Sequence, residues 1–382
     1  MSASSERLPI PEPPASLRDR LLDWRNRLIA NPGFQRWAAR FPLTRGISRR
    51  KAASVFNIAS GFVYSQVLGA CVELKLFERL RDRRAGVTEL ARECGLPEEP
   101  MRRLLLAADS LDLLEQRGEQ FALGELGAAV LANPGVIAMV NHNRCLYRDL
   151  TDPVALLRGE QPASLASFWP YATGRDGDAT EYSELMAASQ SLVADDILDA
   201  VPMADCRHLW DIAGGNGTFI RHALNRWPQL RATVLDLPPV AELARRQLTD
   251  AGLGERSMAL SGDMFRAPLA DSDASGFGAP DLVSLVRVVH DHDDGPVRTL
   301  LANLHKAMAP GSRLLLAEPM ADSAGAEPMG HAYFGLYLFA MGSGRPRSCE
   351  ELLSMLAEAG FRRGREIKTH RPHMVRVLLA ET

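Results

Sequence analysis

The chain is 382 residues long, 46% hydrophobic and 24% charged, with a net charge of −3. Its length suits two domains and an arm, and its composition is that of an ordinary globular protein. No run of about 18 consecutive apolar residues occurs, so nothing is expected to span a membrane; five scattered cysteines without a CxxC pair argue against a disulfide framework or zinc cluster and fit a reducing cytoplasm.

Residues 1–50 read as an N-terminal extension. Its first sixteen residues are polar and Pro-rich, lack the apolar core of a secretory signal, and read as disordered. From Arg18 to Lys51, nine Arg and one Lys stand against Asp19 and Asp23, a net +8 that leaves −11 on the rest of the chain. A basic arm on an acidic body points to an anionic surface, either nucleic acid or lipid head groups. Leu17, Leu21, Trp24 and Leu28 recur at helical spacing with arginines on other faces. Such a helix packs on its own protein or lies on a membrane surface.

Residues 53–80 form a long apolar helical stretch. After it, Thr88 is placed to cap a short helix, Gly95 and Pro97 make a turn, a second helix runs from about Glu98 to Leu111, and LLEQRGEQFAL reads as a hairpin around Gly118. Helix, turn, helix and hairpin make a winged-helix pattern. Glu98, Glu99 and Pro100 open the second helix, where phosphate contacts would need donors or bases. A structural or dimerisation role is therefore expected, and no nucleic-acid partner. Residues 160–180 look like a connection, followed by the helix SELMAASQSLVADDILDAV.

From Arg207 onward, short apolar runs alternate with helical segments, which implies a parallel sheet covered on both faces. The run HLWDI leads into AGGNG and a helix. Glycines at such a turn (Gly214, Gly215, Gly217) let backbone approach a ligand closely. Asp211 lies at the strand end, and Asp236, followed by Leu237, ends the next strand, where a carboxylate can accept both hydroxyls of a ribose. That much also fits NAD. After the third strand, Gly262, Asp263, Met264 and Phe265 offer a carboxylate for an adenine amino group and apolar cover for its ring. Asp211 would repel a pyrophosphate but suits a sulfonium and an amino group, so S-adenosyl-L-methionine is favoured.

DIAGGNG, VLDLP, GDMF, VRVVHDHDD, LLLAEPM and GRPRSCEELLSMLAEAGF stand in the order seen in the large O-methyltransferases related to plant phenolic and acetylserotonin methyltransferases, and residues 53–382 resemble that family. The arm and FVYSQVLGACVELKLF resemble a narrower group, the bacterial carotenoid methyltransferases acting on demethylspheroidene or hydroxyneurosporene. The resemblance implies an α/β protein. A Rossmann-like class I methyltransferase domain (181–382, a mostly parallel sheet with helices on both faces) would follow a mainly α winged-helix dimerisation domain (51–180), giving a homodimer. It implies S-adenosyl-L-methionine as methyl donor, S-adenosyl-L-homocysteine as product, and no metal. His290, paired with Asp291, would be the general base, with Glu318 fixing its ring. The acceptor would be an apolar hydroxylated molecule, the tertiary hydroxyl of an acyclic carotenoid. A phenolic or polyketide hydroxyl is the alternative, and a cofactor-binding winged-helix regulator the non-enzyme one. Cytoplasmic placement is expected, with residues 17–51 offering peripheral contact to the inner or photosynthetic membrane.

The segment HAYFGLYLFAMGSG supports an apolar acceptor, with Phe334, Tyr337, Leu338 and Met341, joined by Met186, as pocket residues. A metal is the weaker reading of the His/Asp cluster: His290 and His292 alternate and would face opposite ways in an extended chain. His292 is expected in a surface or helix-cap contact, and Asp293 and Asp294 cap and charge the next helix. Three positions depart from the family. Pro346-Arg347-Ser348 replaces Glu-Arg-Thr, Ala213 replaces the first glycine, and the basic residue usual four before the histidine is Val286, with Arg287, a candidate cofactor contact, beside it.

Overall fold

The computed structural model describes residues 16–168, 190–191, 193–266 and 276–382. The disordered reading of residues 1–15, most of the 160–180 connection and Met186 lie outside these. The chain divides into two compact units, Met1–Ala70 and Cys71–Thr382.

The first unit is helical. Helix α1 (Leu17–Ala30) starts in a capping box, with the Ser16 hydroxyl accepting from the Asp19 amide and the Asp19 carboxylate accepting from Ser16. Asn31 ends α1 and caps α2 (Pro32–Arg40), accepting from the Gly33 and Phe34 amides. Helix α3 (Arg45–Glu73) runs through residue 50 and on past Ala70. By length and composition alone it is apolar enough to cross a bilayer, and its apolar window is only 11% buried. Counting consecutive apolar residues missed it: Ser54, Asn57, Ser60, Ser65 and Gln66 interrupt the run, yet no charge falls between Lys51 and Glu73.

The second unit opens with the winged helix. Strands β1 (Ala85–Gly86), β2 (Leu114–Arg117) and β3 (Gln120–Leu123) form a sheet in the order β1-β3-β2, with Gly118 at φ +68 turning the hairpin. Gly86, and not Thr88, is the N-cap of the helix Val87–Cys94; Thr88 already lies inside it. The second helix is Glu98–Asp109.

The large sheet contains β4 (His208–Ile212), β5 (Arg231–Asp236), β6 (Ser257–Ser261), β7 (Leu282–Val286), β8 (Arg313–Glu318), β9 (Arg362–Ile367) and β10 (Arg376–Glu381), in the order β6-β5-β4-β7-β8-β10-β9. Every pair from β6 to β8 is parallel, and β10 joins β8 and β9 antiparallel. Central strands β4 and β7 are buried along their whole length, as a sheet covered on both faces requires. The chain runs outward from β4 through β5 and β6, then returns to β7 on the other side. The crevice at the carboxyl ends of β4 and β7 is therefore the switch point where such sheets take ligands.

Candidate active site

Five strand ends deliver the chemistry to that crevice. Asp211 comes from β4, Asp236 from β5, Gly262 to Phe265 from the turn after β6, His290 and Asp291 from the turn after β7, and Glu318 from the last position of β8.

Asp211 is almost wholly buried. Its Oδ1 accepts from the Ser284 hydroxyl at 2.6 Å, while Oδ2 has no hydrogen-bond partner among the described residues. Burial pushes its pKa up to about 7, against the pull of that hydroxyl. A Cβ on Gly214 would come within 2.6 Å of Oδ2, so only glycine lets the loop pack this closely on the carboxylate. Gly217 at φ +80 is the N-cap of the helix Thr218–Arg226, and Ala213, at φ +53, adopts the left-handed backbone that a glycine takes without strain. Asp236 accepts from the Gly215 amide at 2.8 Å and the Leu237 amide at 2.7 Å, and burial raises it to about 6. It therefore shapes the glycine loop, and each of its oxygens keeps acceptor capacity for a ribose hydroxyl. Asp263 is more open; its Oδ1 accepts from the Phe265 amide, and Met264 and Phe265 pack on the core beneath. An orphaned buried carboxylate oxygen, a side-chain-free loop and a ribose-type acceptor fit S-adenosylmethionine.

His290 lies in a 3-10 turn, Val289–Asp291, and not in extended chain, so the alternation argument against a metal does not describe it. Arg287 at φ +59 bends the backbone out of β7. His290 Nδ1 meets Glu318 Oε2 at 2.5 Å, and Nε2 lies 3.1 Å from Asp291 Oδ1. Glu318 Oε1 also accepts from the Val288 and Val289 amides, at 3.0 and 2.7 Å, so one carboxylate fixes both the ring and its turn. Burial opposes charge on the imidazole, but the Asp291 and Glu318 carboxylates outweigh it and hold His290 above its ordinary pKa. Burial raises Asp291 to about 6 against the attraction of His290. No cluster of three metal-ligand side chains occurs among the described residues.

The triplet that departs from the family has a role that the sequence did not reveal. Arg347, 2% exposed, donates to the carbonyls of Val289 and His292, both at 2.8 Å, and to Asp294 Oδ1 at 2.7 Å. The preceding loop lies against the same turn. The Arg345 amide donates to the His290 carbonyl, the Ser343 hydroxyl to the Asp291 carbonyl, and the Gly344 amide to Asp293. Gly344 is required there, because a Cβ would collide with the His290 carbonyl oxygen. Asp293 does stand at the N-cap of the helix Asp294–Ala307, but it gives its carboxylate to Gly344 and not to the helix amides. His292 is half-buried with its ring edge-on to Phe265 at 5.0 Å, and burial lowers it to about 4, so it is neutral at pH 7.

A small cavity is lined by Met139, Arg287, His290, Asp291, Tyr333, Phe334 and Tyr337. Of the expected pocket residues, Phe334 and Tyr337 line it; Leu338 and Met341 instead pack in a core cluster with Leu146, Leu156 and Leu165. Arg287, expected at the cofactor, lines this cavity beside His290. His142 Nε2 meets the Tyr337 hydroxyl at 2.8 Å, and the Tyr333 hydroxyl donates to Asn143 at 3.0 Å. Burial pushes the Tyr337 phenol well up and Tyr333 up to about 12, so both stay neutral.

A mostly parallel sheet with this switch point, a glycine turn after β4 and a carboxylate-held histidine after β7 are the features of a Rossmann-like methyltransferase. Residues 147–362 match the O-methyltransferase domain family and residues 56–133 the O-methyltransferase dimerisation domain. The chain belongs to this family and is an S-adenosylmethionine-dependent O-methyltransferase. It is 40% identical to demethylspheroidene O-methyltransferase of Rhodobacter capsulatus (90% of this chain, 85% of that one). It is also 40% identical to the enzyme of that name from Cereibacter sphaeroides (93% of each). Human N-acetylserotonin methyltransferase, solved in complex with SAM, shares the fold with a TM-score of 0.71 at 23% identity, covering 87% of this chain and 97% of that one.

Proposed function

We propose that the protein methylates the tertiary hydroxyl of an acyclic carotenoid of the demethylspheroidene or hydroxyneurosporene type, with His290 as general base. The observation that carries this is His290 held between Glu318 at 2.5 Å and Asp291 at 3.1 Å, beside a cavity to which Met139, Phe334 and the rings of Tyr333 and Tyr337 bring apolar surface. S-adenosylmethionine supplies an electrophilic methyl carbon on a cationic sulfur. Asp236 binds the ribose, Asp263 with Met264 and Phe265 receives the adenine, and the Asp211 carboxylate favours the cationic end. Glu318 keeps Nδ1 as a donor, which leaves the Nε2 lone pair to take the hydroxyl proton. A tertiary alcohol is too weak an acid to ionise first, so the proton would move to Nε2 as the oxygen–methyl bond forms and the methyl–sulfur bond breaks, S-adenosylhomocysteine leaving as the neutral thioether. Asp291 then stabilises the imidazolium. The protein works in the cytoplasm as a homodimer joined through residues 56–133.

The carotenoid reading draws on the relatives at 40% identity. The hydroxyl of Tyr333, bonded to Asn143, and Arg287 in the cavity wall favour a second reading, a phenolic or polyketide hydroxyl. Incubation with methyl-labelled S-adenosylmethionine and a panel of hydroxycarotenoids and phenols separates the two. Label in a carotenoid tertiary ether is expected; label in phenols alone would replace the first reading with the second.

A further inference from the structure

The helical first unit carries features that catalysis does not use. Leu17, Leu21 and Trp24 of α1 are 77%, 65% and 59% exposed on one helical stripe, and no α1 residue is buried. In α2 only Ala38 is buried. Trp37 stacks on Phe41 with ring centroids 5.0 Å apart, and these rings share a groove with Gly33, Arg36, Arg40 and Pro42. Arg45, Arg49, Arg50 and Lys51 crowd the first two turns of α3. Aromatic rings and arginines thus occur together along the whole arm, which carries the net +8 counted from Arg18 to Lys51.

We infer that residues 17–51 are a docking arm for an anionic lipid bilayer, lying in its head-group layer. A bilayer satisfies both halves of the arm at once: lipid phosphates take the arginines, and the acyl boundary takes Leu17, Leu21, Trp24, Trp37 and Phe41. Tryptophan is the side chain that prefers this depth. A nucleic acid would neutralise the charge and leave the apolar stripe in water. Arm-to-arm pairing of two copies would set +8 against +8. The segment matching the dimerisation domain begins at residue 56, beyond the arm. Interfacial docking, not crossing, is assigned because the last turn of α3 is buried in protein at Cys71 and Val72. The inference is independent of which acceptor the enzyme methylates, since binding is measured without one.

The test is sedimentation of the full chain with vesicles of phosphatidylglycerol and phosphatidylcholine, against phosphatidylcholine alone. Binding is expected only to the anionic vesicles at about 50 mM salt and to be largely lost at about 500 mM. Arg36→Gln/Arg40→Gln/Arg49→Gln/Arg50→Gln should weaken it at least about tenfold with an unchanged melting temperature, a fraction of what four basic residues contribute at such a surface. Bromine-labelled acyl chains should quench tryptophan fluorescence, and Trp24→Phe/Trp37→Phe should remove most of that quenching. Equal binding to neutral vesicles, no binding at low salt, an unaffected quadruple variant, or displacement from vesicles by duplex DNA at matched phosphate would each overturn the inference. So would Trp24 and Trp37 already shielded from acrylamide without vesicles, because a second copy would then cover the arm.

Discussion

Replacing Glu318 by Gln removes one charge at the centre of the site and keeps the shape. The carboxylate accepts three bonds, from the Val288 and Val289 amides and from His290 Nδ1. An amide has one acceptor oxygen, so either the ring or the turn meets an NH2 group and a buried donor loses its partner. The lost bond is charge-assisted and worth about 1.5–3 kcal/mol. If that stabilisation is needed mainly when His290 takes the proton, kcat falls about 10- to 150-fold at about 1.4 kcal/mol per decade. The pH profile gives a second, independent sign. The proposed base role requires neutral His290, whose pKa is held up by Asp291 and Glu318. Its acid limb should therefore lie above the ordinary histidine value of about 6.5. Without the Glu318 charge the imidazolium is less stable, its pKa falls, and the limb moves to lower pH. The assay is initial rate of label transfer against pH, with S-adenosylhomocysteine calorimetry as the folding control. Activity within about threefold of wild type and an unmoved limb would refute the assigned role of the pair.

His290→Ala should lower turnover at least about 100-fold with cofactor affinity nearly unchanged, as loss of a general base predicts; near-normal turnover removes His290 from the mechanism. Asp236→Ala should weaken S-adenosylhomocysteine binding by about 1.5–3 kcal/mol in calorimetry, the cost of bonds to a charged group, and unchanged affinity would refute the ribose role. Arg347→Met should lower unfolding free energy by about 1.5–3 kcal/mol, because the Val289 and His292 carbonyls lose a charged donor while Asp294 keeps Arg345; a denaturant midpoint equal to wild type contradicts the clasp. Chelators should leave activity intact, and loss restored by a divalent ion would revive a metal role for the His/Asp cluster.

The parts of the site that obey short-range rules were readable in the sequence. The turn after β4 and Asp236 one strand later follow from where apolar runs stop, whereas Glu318 at the end of β8 was singled out by the family resemblance alone. What escaped has long-range or backbone causes. Strand β9 is a solvent-facing edge strand, RRGREI, without the apolar alternation that marks a half-buried strand. Met139 lines the same cavity as His290 from a helix 151 positions earlier, which only the tertiary fold could reveal. Arg347 bonds mainly to carbonyls, and no residue pattern advertises a carbonyl as a partner. The turn carrying His290 departs from extended chain because Arg287 takes a left-handed conformation, rare for a side-chain-bearing residue and invisible to periodicity.

The clasp around His290 has a bearing on how substitution data for this enzyme should be read. The turn from Val288 to His292 is held through its backbone, by Glu318 on its amides and by Arg345 and Arg347 on its carbonyls. Side chains at Val288 and Val289 can therefore vary among apolar types, while Gly344, which has no room for a Cβ, and Arg347 cannot. A survey of variants scored only by survival of activity would rank Gly344 and Arg347 beside His290, although the cavity next to the base touches neither. Measuring abundance alongside turnover would sort them: frame residues lose protein, and the base loses rate alone.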